Sequence, residues 1–120
     1  MDKIIIKDLR VYAFHGVNED EKIKGQPFEL DITCHIDLSK PCVSDCVDDT
    51  VSYAQIIKLV KKEMTAQSFD LLERTAQYIC DKILEQYKTI EQVDILLKKP
   101  RAPILADFGY VAVEISRKRV

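Results

Sequence analysis

The segment from Phe28 to Leu38 most narrows what this chain can fold into. Phe28, Leu30, Ile32, Cys34, Ile36 and Leu38 alternate without interruption with Glu29, Asp31, Thr33, His35 and Asp37. Successive side chains of a strand point to opposite faces, so this segment is a strand with one buried face and one wet face. That pattern belongs to an antiparallel sheet. A parallel sheet, covered on both sides, requires near-continuous apolar strands. His35 falls on the wet face and reads as a surface histidine, while Cys34 falls on the apolar one.

The remaining elements follow from period and punctuation. An Ile-, Val- and aromatic-rich strand is predicted over about Lys3 to Phe14. A polar loop holding Gly16, Glu19, Asp20, Glu21 and Gly25 joins it to the alternating strand. Gly16 is expected to shape the His15-Gly16 turn through a positive φ. Pro41 and the run Asp45 to Asp49 mark a long connection out of the sheet. A first helix begins near Ser52, with Ser52 and Gln55 as a capping box and Tyr53, Ile56, Ile57, Val60 and Met64 at helical spacing. A second begins near Asp70, with a broad apolar stripe ending at Tyr87. A strand over Gln92 to Lys99 is closed by Pro100, which cannot donate to a ladder. A last strand spans about Phe108 to Ser116, and the basic tail Arg117-Lys118-Arg119-Val120 is expected to fray.

Strand, strand, helix, helix, strand, strand makes an α+β sandwich: one four-stranded antiparallel sheet with two helices on one face. The 120 residues form a single domain, 1–120, with no internal repeat. The outer strands of such a sheet are open edges that invite pairing with another copy.

Charge and composition exclude several classes of function. Eighteen basic residues against 20 acidic ones leave a net charge of −2, which argues against nucleic acid or an anionic membrane as the main partner. No apolar run approaches the ~20 residues of a membrane span. The start, Met1-Asp2-Lys3-Ile4-Ile5-Ile6, lacks a signal-peptide pattern, and a cytosolic setting is expected. Cys34, Cys42, Cys46 and Cys80 lack the spacing of a zinc site, so no metal is expected. Cys34 and Cys80 read as buried free thiols.

Four positions carry candidate chemistry. Val93, Ile95 and Leu97 share a strand face with Lys99, which puts an ammonium group at the end of an apolar stripe. Such a lysine is either a solvated strand end or a base. Glu73 follows Asp70 by three positions, the spacing of a capping box. The same place offers a carboxylate beside the unpaired N–H groups of a helix start. Tyr53, in a first helical turn, serves packing or a site about equally well. Glu21 sits within Glu19-Asp20-Glu21-Lys22, where a solvated surface acid is the ordinary reading.

Taken in order, Tyr12-Ala13-Phe14-His15-Gly16 with Glu21, Asp49-Thr50-Val51-Ser52-Tyr53, Leu71-Leu72-Glu73 and Lys99-Pro100 resemble the dihydroneopterin aldolases, from about Ile4 to Ile115. The resemblance implies the tunnelling fold, or T-fold. It also implies a homo-oligomer, a tetrameric ring and an octamer of two rings, with active sites between subunits. It casts Glu73 as the anchor of a dihydropterin substrate, taking two ring donors in a bidentate pair while the Leu72 N–H takes the ring carbonyl. Tyr53 of a neighbouring subunit lies at the pterin and moves a proton, and the backbone at Val51 and Ser52 lines the pocket. Glu21 lies near the substrate side chain, with Glu19 or Asp20 as counterparts should the loop alignment slip. No catalytic role falls to His15. Lys99 is the catalytic base, Lys98 being the competing choice.

The implied reaction is a retro-aldol cleavage to 6-hydroxymethyl-7,8-dihydropterin and glycolaldehyde, with 2′-epimerisation to dihydromonapterin. The substrate's own C6=N5 imine is the electron sink, so neither cofactor nor metal is implied. Two other readings stay open. One is a 2′-epimerase of dihydroneopterin triphosphate, for which Arg74 and Arg101 are candidate phosphate contacts. The other is a ring-forming pterin-binding module without turnover. Arg74, beside Glu73, is also placed to pair with it.

Overall fold

A computed structural model describes residues 1–120. The alternating segment becomes β2 (Gln26–Ile36), and it holds an interior place in the sheet. It pairs antiparallel with β1 (Asp2–Ala13) on one side and with β3 (Gln92–Lys99) on the other. β4 (Val111–Lys118) pairs with β3 and completes the order β1-β2-β3-β4. Phe28, Leu30, Ile32 and Cys34 are fully buried, and the polar residues between them are half-buried on the other face.

Two long helices cover the apolar face, α3 (Tyr53–Ala66) and α4 (Leu72–Gln86). Ile56, Val60 and Met64 of α3 and Ala76, Ile79, Cys80 and Ile83 of α4 meet Val93, Ile95 and Leu97 of β3 in the same core. Each large apolar side chain buried there contributes about 1.5–3 kcal/mol. Cys34 and Cys80 are free thiols in that core, and burial pushes each up to about 12. No helix is long and apolar enough to cross a membrane.

Several local expectations are corrected. Two short helices, α1 (Glu19–Lys24) and α2 (Ser39–Ser44), stand where connections were expected. At six residues each they are too short to show a helical period. Neither long helix has a side-chain cap: Ser52 and Leu71 are the N-caps, and Asp70 turns instead to Lys22. β4 begins at Val111 rather than Phe108, because its first partner, Lys99, is the last residue of β3 before Pro100. The tail is tied down. The Arg119 guanidinium donates to the carbonyls of Leu84, in the last turn of α4, and of Tyr87 and Ile90, in the segment that leads from α4 to β3.

The other sheet face carries two polar networks. His35 Nε2 lies 2.6 Å from Asp94 Oδ2, so His35 is a paired residue rather than a free surface one. β1 bulges between Ile6 and Leu9, and Asp8 takes the left-handed conformation there (φ 55°). The bulge aims its carboxylate at Lys98.

Candidate active site

β3 ends in two lysines whose side chains leave on opposite faces. Lys98 is on the polar face, where it meets Asp8 Oδ1 at 2.8 Å and Asp31 Oδ2 at 3.3 Å. Its ammonium also lies over the Tyr110 ring. The hydrogen bond to Asp8 and the charge of Asp31 outweigh desolvation and hold Lys98 above the usual lysine value. Lys98 is thus a structural cation. Lys99 is on the core face, after Val93, Ile95 and Leu97, as the strand parity predicts.

Lys99 Nζ stands 2.5 Å from Glu21 Oε2, and the two side chains are only 12% and 9% exposed. Glu21 is therefore no solvated surface acid. The six-residue α1 turns Glu19 and Asp20 outward and Glu21 inward, which separates three consecutive acids by environment. Glu21 Oε1 accepts from the Asn18 N–H at 3.3 Å, and Oε2 accepts from Gln26 Nε2 at 2.8 Å as well as from Lys99. Burial alone raises the Glu21 carboxyl, but Lys99, Gln26 and Asn18 together outweigh it and hold the group below the usual carboxylate value.

Glycine is required at position 16 because a Cβ there would run into all three atoms of the Glu21 carboxyl group. Gly16 is held in place from several sides. Its N–H donates to Phe69 O at 2.9 Å, and Lys22 Nζ donates to its carbonyl. His15 is buried beside it. Nδ1 accepts from the Phe69 N–H at 3.0 Å, which leaves Nε2 to donate to Met64 O at 2.8 Å. Burial lowers the pKa of the ring, opposed by the hydrogen bond to Met64 and aided by lesser repulsion from Lys22 and Lys99. His15 is a structural tie between the end of β1, the end of α3 and the segment leading into α4.

That segment brings the start of α4 to the same end of the sheet. Lys22 Nζ reaches Asp70 Oδ1 at 2.5 Å, joining α1 to the α4 entry. Glu73 lies in the first turn of α4, exposed and free of any ion pair. Leu72 is the first helical residue. Arg74 does not pair with Glu73: its guanidinium lies 5.0 Å from the centre of the Phe69 ring and 5.8 Å from that of Tyr78.

Tyr53 and Val51 are elsewhere. α3 has 14 residues and is about 21 Å long. Its far end, at Met64, is the end bonded to His15. Tyr53 instead lines an apolar cleft of about 470 Å³ with Ile4, Leu38, Cys42 and Val51. Ile4 and Arg10 are six positions apart on β1, about 20 Å, and Arg10 is the residue in register with Glu29 and Lys98. One copy of the chain therefore holds the two groups of candidate residues at opposite ends of its sheet. Tyr53 is 66% exposed there.

Gln26 was not singled out by sequence reasoning. A glutamine beside Pro27 at a strand start carries no local signal, and its role depends on Glu21, which folding alone brings to it.

The family model described as FolB, dihydroneopterin aldolase, matches residues 4–116. A dihydroneopterin aldolase of Streptococcus pyogenes is 33% identical over 99% of this chain and 100% of its own length. Dihydroneopterin aldolase 1 of Arabidopsis thaliana is 37% identical over 98% of this chain and 82% of its own length. Among solved structures, an Escherichia coli dihydroneopterin aldolase in complex with neopterin superposes with a TM-score of 0.89 at 33% identity. It covers 98% of this chain and 99% of the other.

Proposed function

The chain belongs to the dihydroneopterin aldolase family of aldehyde-lyases, and we propose that it cleaves 7,8-dihydroneopterin with Lys99 as base and Glu73 as pterin anchor. The observation that carries this reading is the buried pair of Lys99 and Glu21, 2.5 Å apart at the end of the apolar stripe. It supplies a proton-transfer group where water is largely excluded.

Glu73 stands unpaired in the first turn of α4, free to take the 2-amino and N3 donors of a pterin as a bidentate pair. The N–H of Leu72 is among the first four of the helix, which have no partner inside it, and it would take the O4 carbonyl. Lys99 then removes the proton of the 2′-hydroxyl. The C1′–C2′ bond breaks, its electrons pass to the C6=N5 imine, and the 2′-oxygen leaves as the carbonyl of glycolaldehyde. Protonation of the enamine at C1′ gives 6-hydroxymethyl-7,8-dihydropterin. Return of glycolaldehyde by its other face gives the 2′-epimer.

Tyr53 and Val51 join this site when a second copy brings its apolar cleft to the first copy's Lys99 end. The open edges of β1 and β4 offer the means, by pairing copies edge to edge into the tetrameric ring. Two stacked rings make the octamer. The buried free thiols at Cys34 and Cys80 suit a reducing cytosol. A preference for a triphosphate finds little support. Arg101 and Lys24 share the cleft beside Glu21 with Asp20, so its charge is mixed.

The test is incubation of the purified protein with 7,8-dihydroneopterin in the presence of chelator, with products separated after oxidation. Hydroxymethylpterin is the expected product. Monapterin alone would favour the epimerase, and no product from a folded oligomer would favour a binding module.

A further inference from the structure

Gln26 does something that a side chain selected for packing would not do. It is the first residue of β2 and only 8% exposed. Its Nε2 donates to Glu21 Oε2 at 2.8 Å. Its Oε1 is buried and has no hydrogen-bond partner. A buried acceptor without a donor is destabilising and rare in native proteins. Methionine would fill the same space without leaving one. The amide is therefore present for what it does to Glu21, and the oxygen it contacts is the one that meets Lys99 Nζ at 2.5 Å.

With its carboxyl group held below the ordinary value by Lys99, Gln26 and Asn18, Glu21 stays a carboxylate beside the lysine. Gln26 Nε2 donates to the same oxygen that meets Lys99 Nζ, and so fixes where that oxygen sits relative to the base.

We propose that Gln26 is a positioning residue: its amide holds the Glu21 carboxylate against Lys99. The other charged groups around Glu21 are Lys22 on its own helix and Asp20, Lys24 and Arg101 around the neighbouring cleft. None of these contacts the Glu21 carboxylate. The inference rests on Lys99 being the base.

The experiment compares kcat and KM for 7,8-dihydroneopterin against pH in the wild type, Gln26→Met, Glu21→Gln and the double variant. Binding of 6-hydroxymethyl-7,8-dihydropterin is followed alongside. Gln26→Met is expected to lower kcat about tenfold or more, with KM and product binding within about twofold. Its acid limb is expected to move to higher pH. In the Glu21→Gln background the same change is expected to cost less than about twofold. Equal proportional losses in both backgrounds, a loss carried by KM alone, or an unmoved pH profile would each overturn the proposal. Should Gln26→Met fail to fold, Gln26→Glu places a second acid against Glu21. Its acid limb must then rise, and a fixed limb overturns the proposal. Full turnover by Lys99→Met would overturn the assignment of the base itself, and this inference with it.

Discussion

Lys98 and Lys99 are neighbours in sequence and leave β3 on opposite faces, each to its own acid: Lys98 to Asp8 at 2.8 Å, Lys99 to Glu21 at 2.5 Å. The pleat separates a cation that holds the sheet together from one that faces the proposed chemistry. Exchanging each for methionine should separate the two roles. Lys99→Met is expected to lower turnover at least about 100-fold while pterin binding persists. Lys98→Met leaves Asp8 without a cation and Asp31 with Lys7 alone, and is expected to cost about 1–3 kcal/mol of stability, with turnover of the folded protein within a few-fold. Thermal melts and kcat for both variants check this. The reverse pattern would move the base to Lys98.

Gly16 and Glu21 make the second test. An added Cβ at position 16 occupies the space of the Glu21 carboxyl group, and the carboxylate is pinned by Lys99, Gln26 and Asn18. Gly16→Ala is expected to push Glu21 off Lys99. Turnover should fall at least about tenfold, by more than any loss in melting temperature explains. A variant with unchanged kcat would show that the close approach has no catalytic consequence.

His15 sets a pH dependence of stability. Its pKa is lowered in the folded protein from an ordinary 6.5. Below that value the unfolded chain binds a proton that the folded chain refuses, so unfolding is favoured as pH falls. Glu21, Asp31 and Asp94 are also lowered, and their stabilisation is lost only as pH falls through the carboxylate range near 4. The melting temperature is therefore expected to decline between pH 7 and 5, ahead of the carboxylate loss. His15→Asn should flatten that early decline whatever its effect at pH 7. An equally steep decline in the variant would assign the effect elsewhere.

What was legible in the sequence was what depends on near neighbours. The alternation from Phe28 to Leu38 places β2, and parity along β3 puts Lys99 with Val93, Ile95 and Leu97. What was not legible depends on contacts that folding creates. Glu21 looks like its neighbours Glu19 and Asp20, and only Lys99, on a distant strand, makes it different. Arg119 looks like part of a frayed basic tail, and its partners are carbonyls at Leu84, Tyr87 and Ile90. Gln26 has meaning only through Glu21. The position of Tyr53, at the far end of α3 from His15, could be read from neither composition nor period.

That position yields the most decisive test of a shared site. If Lys99 of one copy works with Tyr53 of another, two inactive variants can repair each other. Lys99→Met and Tyr53→Ala proteins would be mixed in equal amounts, dissociated and reassembled. Each site in the mixed oligomer draws its lysine from one copy and its tyrosine from a neighbour. With random assembly about a quarter of the sites receive both intact residues, since two independent halves must coincide. Recovery towards a quarter of wild-type turnover is expected, with neither variant active alone. Were both residues drawn from the same copy, every site would lack one of them and no activity would return. Mixing without dissociation is the control, because exchange of subunits is what the recovery requires.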